Sequence, residues 1–234
     1  MDKLKELSLF FPAYNEEENL KATVEKAVPI LKSVAEKHEL IIINDGSKDK
    51  TGEIAEKLAK QYPFIKVITH SPNRGYGAAI KSGLYHSNYE WIVFTDADGQ
   101  FDFSEVTKFI EKQKETNADL VIGYYLKRAV HFGRILGSKL WELAVFVLFG
   151  LKVTDTDCGF KFMRKEVVEK IPQLEAERGP FISSEFLIKA QKAGFRLAEV
   201  GVHHYPRKAG AATGASFKVI LSGLSDLLKL RFRI

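Results

Sequence analysis

Two acidic residues separated by one position follow a short apolar run near the middle of the chain. The segment reads Asp96-Ala97-Asp98-Gly99-Gln100 and comes directly after residues 91–95. Carboxylate oxygens and an amide carbonyl at this spacing can converge on a hard divalent cation such as Mg²⁺ or Mn²⁺, which also accepts phosphate oxygens. A calcium EF-hand loop is excluded, because its sixth position holds Phe101 instead of glycine. The alternative interpretation is a solvated turn after a strand.

A second polar segment, Asn44-Asp45-Gly46-Ser47, follows the β-branched run 40–43. Asp-Gly is typical of a hairpin turn, but the helical pattern that begins at Asp49 argues against a hairpin here. An acidic side chain at the end of a strand can accept hydrogen bonds from a base or a ribose. The segment alone does not decide between these uses. Gly75-Tyr76-Gly77 is interpreted as a closely packed helix start rather than a dinucleotide fingerprint.

A basic loop rich in Gly and Ala is predicted over residues 203–216. In it, Arg207 offers a planar fork and Lys208 a point charge for phosphate oxygens. His203 and His204 are adjacent, so in a strand they point to opposite faces and zinc is not expected. The acidic stretch 155–161 is interpreted as turn chemistry before a strand, with Cys158 as a small buried residue.

The elements that must position these residues alternate between strand and helix patterns. Five strands are predicted in the first half, and the first helix is expected to start at the capping-box-like residues 15–18. Ser104 is the expected N-cap of the helix before the fifth strand. Strands separated by helices of this length indicate parallel pairing with helices on both faces, and ligands then lie beyond the carboxyl ends of the strands. The predicted strands are 7–11, 40–43, 64–69, 91–95 and 120–123.

The second half has a different pattern, which indicates one domain with a remodelled C-terminal part. Residues 131–151 are apolar with interspersed charges, and residues 217–234 have an amphipathic helical pattern. Between them the sequence predicts strand 158–163, helix 186–193 and strand 197–202. The fold class is therefore α/β, with a mostly parallel sheet flanked by helices.

Composition excludes several classes of protein. Hydrophobic residues make up 45% and charged residues 28% of the 234, which is globular rather than disordered. The single cysteine excludes an intrachain disulfide. Residues 1–6 carry both signs of charge, so we expect no signal peptide and a cytoplasmic location. The net charge of +5 suits a phosphate-bearing ligand or an anionic membrane surface, and does not by itself argue for nucleic acid.

Taken in order, these segments resemble family 2 glycosyltransferases with the GT-A fold. The resemblance is closest to the dolichyl-phosphate mannose synthase branch, whose members make polyprenyl-phosphate sugars, and it covers about residues 7–216. The segments that carry it are Pro12-Ala13-Tyr14-Asn15-Glu16, Asn44-Asp45-Gly46-Ser47-Lys48-Asp49-Lys50-Thr51, Asn73-Arg74-Gly75-Tyr76-Gly77, Asp96-Ala97-Asp98-Gly99-Gln100, Asp157-Cys158-Gly159-Phe160-Lys161 and His204-Tyr205-Pro206-Arg207.

The resemblance implies a role for each matching position. Metal ligands would be Asp96, Asp98 and Gln100, holding Mg²⁺ or Mn²⁺, with Asp98 counted as catalytic. Arg134 and Ser138 would bind the acceptor phosphate, Arg134 also being catalytic. The donor would be held by Pro12, Tyr14, Glu16, Asp45, Asp96, Ala97, Asp98 and Arg207, the last also catalytic as the loop arginine that closes on the donor.

The implied reaction transfers a hexose from a GDP- or UDP-sugar to a polyprenyl phosphate with inversion, with mannose favoured and glucose possible. A phosphate monoester acceptor is largely dianionic near neutrality, so no strong general base is required. A non-lipid acceptor is the alternative within the family. A nucleotidyltransferase would usually carry a basic phosphate loop where residues 12–16 are acidic. A non-catalytic nucleotide-binding module is the third interpretation.

Two features depart from the family pattern or extend it. An arginine often found after the fifth strand is Tyr125 here, with Lys127 or Arg128 as possible replacements. The resemblance divides the domain into a donor half (about 1–125), an acceptor half (about 126–216) and an amphipathic helix (217–234). That helix places Ile220, Leu224, Leu227 and Leu228 on one face, with Lys218 and Lys229 off it. Segments 132–151 and 217–234 both carry more apolar surface than a solvent-facing helix needs, which predicts peripheral binding to the cytoplasmic face of a membrane. The alternative is that both helices pack on the domain core or form a dimer seam.

Overall fold

Seven strands form one mixed sheet in the computed structural model, which describes residues 2–127, 132–177, 179, 181–207 and 217–233, except for the side chains of 132–136, 217–222 and 224. The observed strands are longer or shorter than predicted by a few residues, but each predicted strand is present. They are β1 (Leu4–Ala13), β2 (Ala35–Asn44), β3 (Ile65–Thr69), β4 (Trp91–Phe94), β5 (Leu120–Tyr125), β6 (Lys161–Arg164) and β7 (Leu197–Val202).

Within the described residues, eight α-helices connect the strands or follow them. None of the helices in the described part of the chain is both long and apolar enough to cross a bilayer. The helices are α1 (Leu20–Val34), α2 (Thr51–Gln61), α3 (Tyr76–His86), α4 (Val106–Thr116), α5 (Phe132–Phe149), α6 (Lys165–Lys170), α7 (Phe181–Lys192) and α8 (Phe217–Arg233).

The sheet has the strand order β3-β2-β1-β4-β6-β5-β7. All neighbouring strands are parallel except β6, which runs antiparallel to both β4 and β5. The predicted mostly parallel sheet is therefore confirmed, with β6 as its one antiparallel strand among the described residues. In that register Lys161, the first residue of β6, lies opposite Phe94, the last residue of β4. The chain thus enters β6 from the carboxyl edge of the parallel strands, which brings residues 155–160 to the same edge as Asp96.

Alternating side chains of the strands divide the core into two layers. Leu7, Leu9 and Phe11 of β1 face the layer formed with α1, α2 and α4, whereas Phe10 faces the layer formed with α3 and α5–α8. All four side chains are fully buried. Full burial of each such side chain is worth about 1.5–3 kcal/mol. This two-sided burial explains why the strands read as continuous apolar runs.

Two helix starts differ from their predicted positions. Helix α1 begins at Leu20 rather than at residues 15–18, because Asn15 adopts a left-handed conformation (φ 55°) that interrupts a helix. Before α4, Asp102 rather than Ser104 provides the cap: its carboxylate accepts a hydrogen bond from the Ser104 N–H (2.9 Å) at the start of a 3-10 turn.

Pro29 lies inside α1 without ending the helix. It lies on the exposed side, where water can replace the N–H donor that proline lacks.

Candidate active site

The carboxylate of Asp45, just after β2, is engaged by the loop that follows β3. Its Oδ1 lies 2.6 Å from the ring Nδ1 of His70 and accepts a hydrogen bond from the Arg74 N–H (2.9 Å). Its Oδ2 accepts hydrogen bonds from the side-chain amide of Asn73 (2.8 Å) and from the Gly75 N–H (2.8 Å). A carboxylate offers about four acceptor positions, so Asp45 is saturated by this loop.

Asp45 therefore shapes a cleft without lining it. The cleft has a volume of about 490 Å³ and lies beyond the carboxyl ends of β1, β2 and β3. Direct contact of Asp45 and Pro12 with a nucleoside is not supported, because Asp45 is only 3% exposed and Pro12 is buried in β1 beside Ile43. Tyr14 lines the cleft, and its contact with a nucleoside stays a prediction. Sequence reasoning missed the lining residues Asn44, Ser47, His70 and Asn73.

Arg207 joins Glu16 to Asp98. Its guanidinium forms an ion pair with Oε1 of Glu16, and its Nη1 lies 3.4 Å from Oδ2 of Asp98. Both acids are nearly buried, so these pairs lie where water screens charge less than at the surface. The structure thus brings together three predicted donor-site residues, two of which are separated by 191 positions in the sequence.

The charge of Glu16 depends on its hydrogen bonds. Burial raises the pKa of this carboxyl, and the nearby Asp98 raises it further. Hydrogen bonds from Asn19, whose Nδ2 lies 2.8 Å from Oε2, and from Arg207 act in the opposite direction. A cation beside Glu16 therefore stabilises its charged carboxylate form, and in this structure the guanidinium of Arg207 is that cation.

Asp96 is held between a hydroxyl and a glycine. Its Oδ1 accepts a hydrogen bond from the Tyr76 hydroxyl (3.1 Å). A Cβ at Gly159 would lie 2.3 Å from its Oδ2, so only glycine permits this approach. Burial and then repulsion from Asp98 raise the pKa of Asp96 to about 7. The segments that contain Tyr76 and Gly159 carry the family resemblance in the sequence, but neither residue was predicted to belong to the site.

The segment that carries Arg207 is fastened to the loop after β4. Tyr205 donates its N–H to the carbonyl of Gln100 (2.8 Å), and the Gln100 side-chain amide donates to the Tyr205 carbonyl (2.8 Å). Glu105 accepts hydrogen bonds from the N–H of His203 (2.8 Å) and lies 2.7 Å from its ring Nδ1. These contacts place Arg207 beside Asp98.

The residues at this edge of the sheet fit a divalent cation whose coordination shell is completed by oxygen atoms of a bound ligand. Among residues 2–127, 132–177, 179, 181–207 and 217–233, no group of three or more His, Cys, Asp or Glu side chains forms a metal cluster. Mg²⁺ and Mn²⁺ do not require one, since one or two carboxylates and substrate phosphates suffice. Burial first and the charge of Asp98 second raise the pKa of Asp96, and a cation bound there would favour its carboxylate form.

The predicted acceptor residues lie on α5. Ser138 is partly exposed, whereas the side chain of Arg134 is outside the described residues. Tyr125, at the position where the family often has an arginine, packs against the rings of Phe101 (centroids 6.0 Å apart) and His204 (4.8 Å). Lys127 is exposed, and Arg128 lies outside the described residues, as does Lys208.

The apolar face predicted for α8 faces the protein in part. Leu227 is 1% exposed and packs in the core, as does Leu230, so the expectation that Leu227 meets a membrane was wrong. Leu228 is exposed as predicted, and Phe232 is 88% exposed. The side chains of Lys218, Ile220 and Leu224 lie outside the described residues.

The longer exposed apolar face belongs to α5. Its members recur at helical spacing and are all exposed, although apolar side chains of a helix usually pack inward. Basic Lys152 lies just beyond the helix, with its ammonium 5.9 Å from the ring of Phe146. This surface, called the α5 face below, consists of Leu140, Leu143, Phe146 and Val147.

An open α/β sheet with acidic side chains, an ion-paired arginine and a polar cleft at the carboxyl ends of its strands is typical of proteins that bind phosphorylated ligands there. Within that class, the chain belongs to glycosyl transferase family 2, whose sequence profile matches residues 8–172. It is a glycosyltransferase with the GT-A fold of the polyprenyl-phosphate branch. A nucleotidyltransferase and a non-catalytic module are thereby excluded.

Three relatives support that branch. A dolichyl-phosphate beta-glucosyltransferase of Trichomonas vaginalis is 32% identical over 240 aligned positions, covering 96% of this chain and 72% of the relative. A dolichyl-phosphate beta-glucosyltransferase of Dictyostelium discoideum is 30% identical and covers 97% and 74%. An undecaprenyl-phosphate 4-deoxy-4-formamido-L-arabinose transferase of Photorhabdus laumondii is 31% identical and covers 97% and 68%.

Solved structures support the fold. Glucosyl-3-phosphoglycerate synthase from Mycobacterium tuberculosis, in complex with Mn²⁺, uridine diphosphate and phosphoglyceric acid, superposes with a TM-score of 0.71 at 18% identity, covering 95% of this chain and 78% of the other. The same enzyme in complex with Mg²⁺ and uridine diphosphate superposes with a TM-score of 0.70 at 17% identity, covering 95% and 79%.

Proposed function

We propose that the protein transfers glucose, with inversion, from a nucleoside-diphosphate glucose to a polyprenyl phosphate. Two relatives are named as dolichyl-phosphate beta-glucosyltransferases, which supports glucose in place of the mannose that the sequence resemblance favoured. A third is named as an undecaprenyl-phosphate transferase, which supports a polyprenyl phosphate as the acceptor.

The observation that carries the proposal is the ion-paired arrangement of Glu16, Arg207 and Asp98, with Asp96 nearby at the same sheet edge as the cleft. The nucleoside enters the cleft beside Tyr14. Its diphosphate then extends toward Asp98, where the guanidinium of Arg207 turns from the carboxylates to the phosphate oxygens. Arginine suits this exchange because its planar fork binds carboxylate and phosphate with the same geometry.

Asp96, Asp98 and Gln100 would hold Mg²⁺ or Mn²⁺ together with the diphosphate of the donor. When bound, the cation offsets the charge that develops on the leaving nucleoside diphosphate. The part of the chain itself is to orient the donor. Tyr14 positions the nucleoside, the hydrogen bonds between Gln100 and Tyr205 hold the loop, and Arg207 binds the phosphate.

Arg134 and Ser138 bind the acceptor phosphate in this proposal. Their spacing of four places both positions on one side of α5. A cationic and a hydroxyl group there would align a phosphate oxygen with the anomeric carbon. Since a phosphate monoester is largely dianionic near pH 7, its oxygen attacks without a general base, and positioning of two anions supplies the catalysis.

The α5 face would bring this acceptor site to the surface of a membrane. It lies roughly half a turn around α5 from positions 134 and 138, which share the side of the buried Val145. The exposed Phe232 and Arg231 of α8 provide further apolar and basic contacts. An apolar face flanked by basic residues is typical of helices that lie in the headgroup region of anionic membranes. Peripheral binding would therefore hold α5 at the headgroup level with positions 134 and 138 on its protein side, where the lipid phosphate would enter the site.

A partition assay tests the reaction. Purified protein with Mn²⁺ receives radiolabelled UDP-glucose, GDP-glucose, UDP-mannose or GDP-mannose, each with dolichyl phosphate, undecaprenyl phosphate, 3-phosphoglycerate or no acceptor. We expect label in the organic phase only when a glucose donor and a polyprenyl phosphate are both present. Label in a water-soluble product with 3-phosphoglycerate would overturn the lipid acceptor, and transfer from a mannose donor alone would overturn glucose.

A further inference from the structure

The beginning of α3 lies between the two acidic centres of the site. The N–H groups of Arg74 and Gly75 donate to Asp45, and the hydroxyl of the next residue, Tyr76, donates to Asp96 (3.1 Å). Three consecutive residues thus connect the acid at the end of β2 with the acid at the end of β4. The cleft loop and the carboxylate that faces the diphosphate therefore share one short piece of backbone.

That piece of backbone is fixed from the other side by the segment before α7. The Ala78 N–H donates to the carbonyl of Glu177 (3.0 Å). The Glu177 carboxylate accepts hydrogen bonds from Arg74 (3.0 Å) and Lys81 (3.1 Å), one on each side of the helix start. A Cβ at Gly77 would lie 2.7 Å from the carbonyl oxygen of Ala176, so the two backbones are in direct contact.

The segment is itself held by a buried ion pair. Glu185 and Lys189 of α7 are 1% and 2% exposed, and their charged atoms lie 2.6 Å apart. Glu185 accepts hydrogen bonds from the N–H groups of Glu175 (2.8 Å) and Ala176 (2.8 Å). Lys189 donates to the carbonyl of Gln173 (2.6 Å). A fully hydrogen-bonded buried pair of this kind fixes one arrangement of the chain around it.

We propose that Tyr76 is a positioning residue that couples nucleoside binding in the cleft to the orientation of Asp96. The proposal rests on the donor site described under the proposed function. A nucleoside that settles against residues 70–75 restrains Gly75, and through Gly75 the hydroxyl of Tyr76. The hydroxyl holds Oδ1 of Asp96 while Gly159 leaves space for Oδ2, so the carboxylate has one orientation toward the diphosphate.

The phenol is suited to this role because a tyrosine hydroxyl, with an ordinary pKa of about 10, is a hydrogen-bond donor at neutral pH. Phenylalanine would fill the same space and remove only the hydrogen bond.

Binding of Mn²⁺ to Tyr76→Phe, measured by isothermal titration with and without UDP or GDP, tests the coupling. We expect Mn²⁺ affinity to fall about tenfold, the size of one hydrogen bond to a charged group. We also expect the gain in Mn²⁺ affinity caused by the nucleotide to shrink. The matched control is Tyr62→Phe, a half-buried tyrosine that packs against Phe64 (ring centroids 5.8 Å apart) in the other layer of the core.

Wild-type Mn²⁺ affinity and unchanged nucleotide coupling in Tyr76→Phe would overturn the proposal, as would a wild-type protein that binds no Mn²⁺. If Tyr76→Phe unfolds, Glu177→Gln provides the second measurement, since it loosens Arg74 and Lys81 without touching the acids. That variant must then show reduced coupling. These titrations use no acceptor, so failure of the lipid-transfer assay would leave their result interpretable.

Discussion

Asp45 and Asp98 are buried acids at the same edge of one sheet, yet their surroundings are opposite. Asp45 receives two backbone N–H groups and two side-chain groups from a single loop. Asp98 receives one backbone N–H, from Gln100 (3.0 Å), and an arginine at 3.4 Å that it shares with Glu16. A saturated carboxylate holds structure, whereas one whose main partner is a side-chain cation can exchange that cation for a ligand.

The largest effect should come from the exchangeable acid. Asp98→Asn removes the charge that we propose faces the donor diphosphate, but it keeps the shape of the side chain and the hydrogen bond from Gln100. We expect turnover in the partition assay to fall by about 10²–10³-fold, the range for loss of one electrostatic contact in a transition state. Thermal unfolding should be unchanged. The matched control is Asp102→Asn in the same loop, which retains a good N-cap and should keep full activity. Full turnover by Asp98→Asn would contradict its role.

Asp45→Asn should give the complementary result. An amide offers one acceptor oxygen, so two of the four donors around it lose their partner, and each unsatisfied buried donor costs about 1–3 kcal/mol. We expect a free energy of unfolding lower by roughly 2–4 kcal/mol together with weaker nucleotide binding. Denaturant unfolding with titration of UDP or GDP provides the measurement. A variant with wild-type stability and lost nucleotide binding would instead identify Asp45 as a direct ligand.

A substitution of Arg207 affects the acids that share its guanidinium and leaves the hydrogen bonds of Asp45 intact. Arg207→Gln leaves Glu16 and Asp98 without their cation, and we expect turnover to fall about tenfold to a hundredfold through loss of a charge-assisted contact with the diphosphate. Mn²⁺ should bind at least as well as in the wild type, because a competing cation has been removed. Weaker Mn²⁺ binding in this variant would mean that Arg207 supports the metal site instead of competing for it.

Sequence reasoning placed both acids at strand ends but could not predict how their surroundings differ. The pair Asp96 and Asp98 has its own spacing and follows a strand, so local pattern is enough to place it at the sheet edge, while its role toward metal and donor stays a prediction. The saturation of Asp45 depends on a loop 25 to 30 residues later in the chain, which only the pairing of β2 with β3 brings near. For the same reason the sequence assigned Asp45 to the nucleoside and gave Tyr76 no role.

The fold was predictable because strand and helix periods are local, and what escaped prediction depends on contacts between distant elements. The direction of β6 is set by the connection after α5, which has no short-range signal. The prediction that Leu227 on α8 meets a membrane was wrong, because an apolar stripe on a helix does not tell whether the protein core or a membrane covers it.

A saturated acid elsewhere should behave like Asp45, with a smaller effect. Burial raises the pKa of Glu39, but hydrogen bonds from Lys66, Ser8 and Asn88 outweigh it and leave the pKa below its ordinary value. The folded state thus favours the carboxylate, so its contribution is present above the unfolded pKa of about 4.3 and is lost as pH falls through the lower folded pKa.

Glu39→Gln should therefore lower the free energy of unfolding by about 1–2 kcal/mol at pH 7, and the difference from wild type should shrink as pH falls below 4. Thermal unfolding across pH 3–8 measures this. Glu36→Gln is the matched control, an exposed glutamate on the same strand. A loss of stability that stays constant over the whole range would assign the effect to packing rather than to charge.

The smallest expected effect concerns the α5 face, whose exposed apolar side chains are compared with an exposed position elsewhere on the protein. Val147 is 70% exposed on α5. Val147→Asp places a negative charge where the proposal puts anionic headgroups. We expect affinity for vesicles that contain anionic lipid to fall roughly three- to tenfold, since a side chain at the interface is only partly buried.

The matched control is Ala22→Asp, which adds the same charge at an exposed position of α1, on the opposite layer of the sheet, and should bind vesicles as the wild type does. Transfer to a short-chain, water-soluble polyprenyl phosphate should be equal in all three proteins, because the donor site is untouched. If Ala22→Asp and Val147→Asp lose vesicle binding equally, the effect comes from net charge alone, and the α5 face is not the membrane contact.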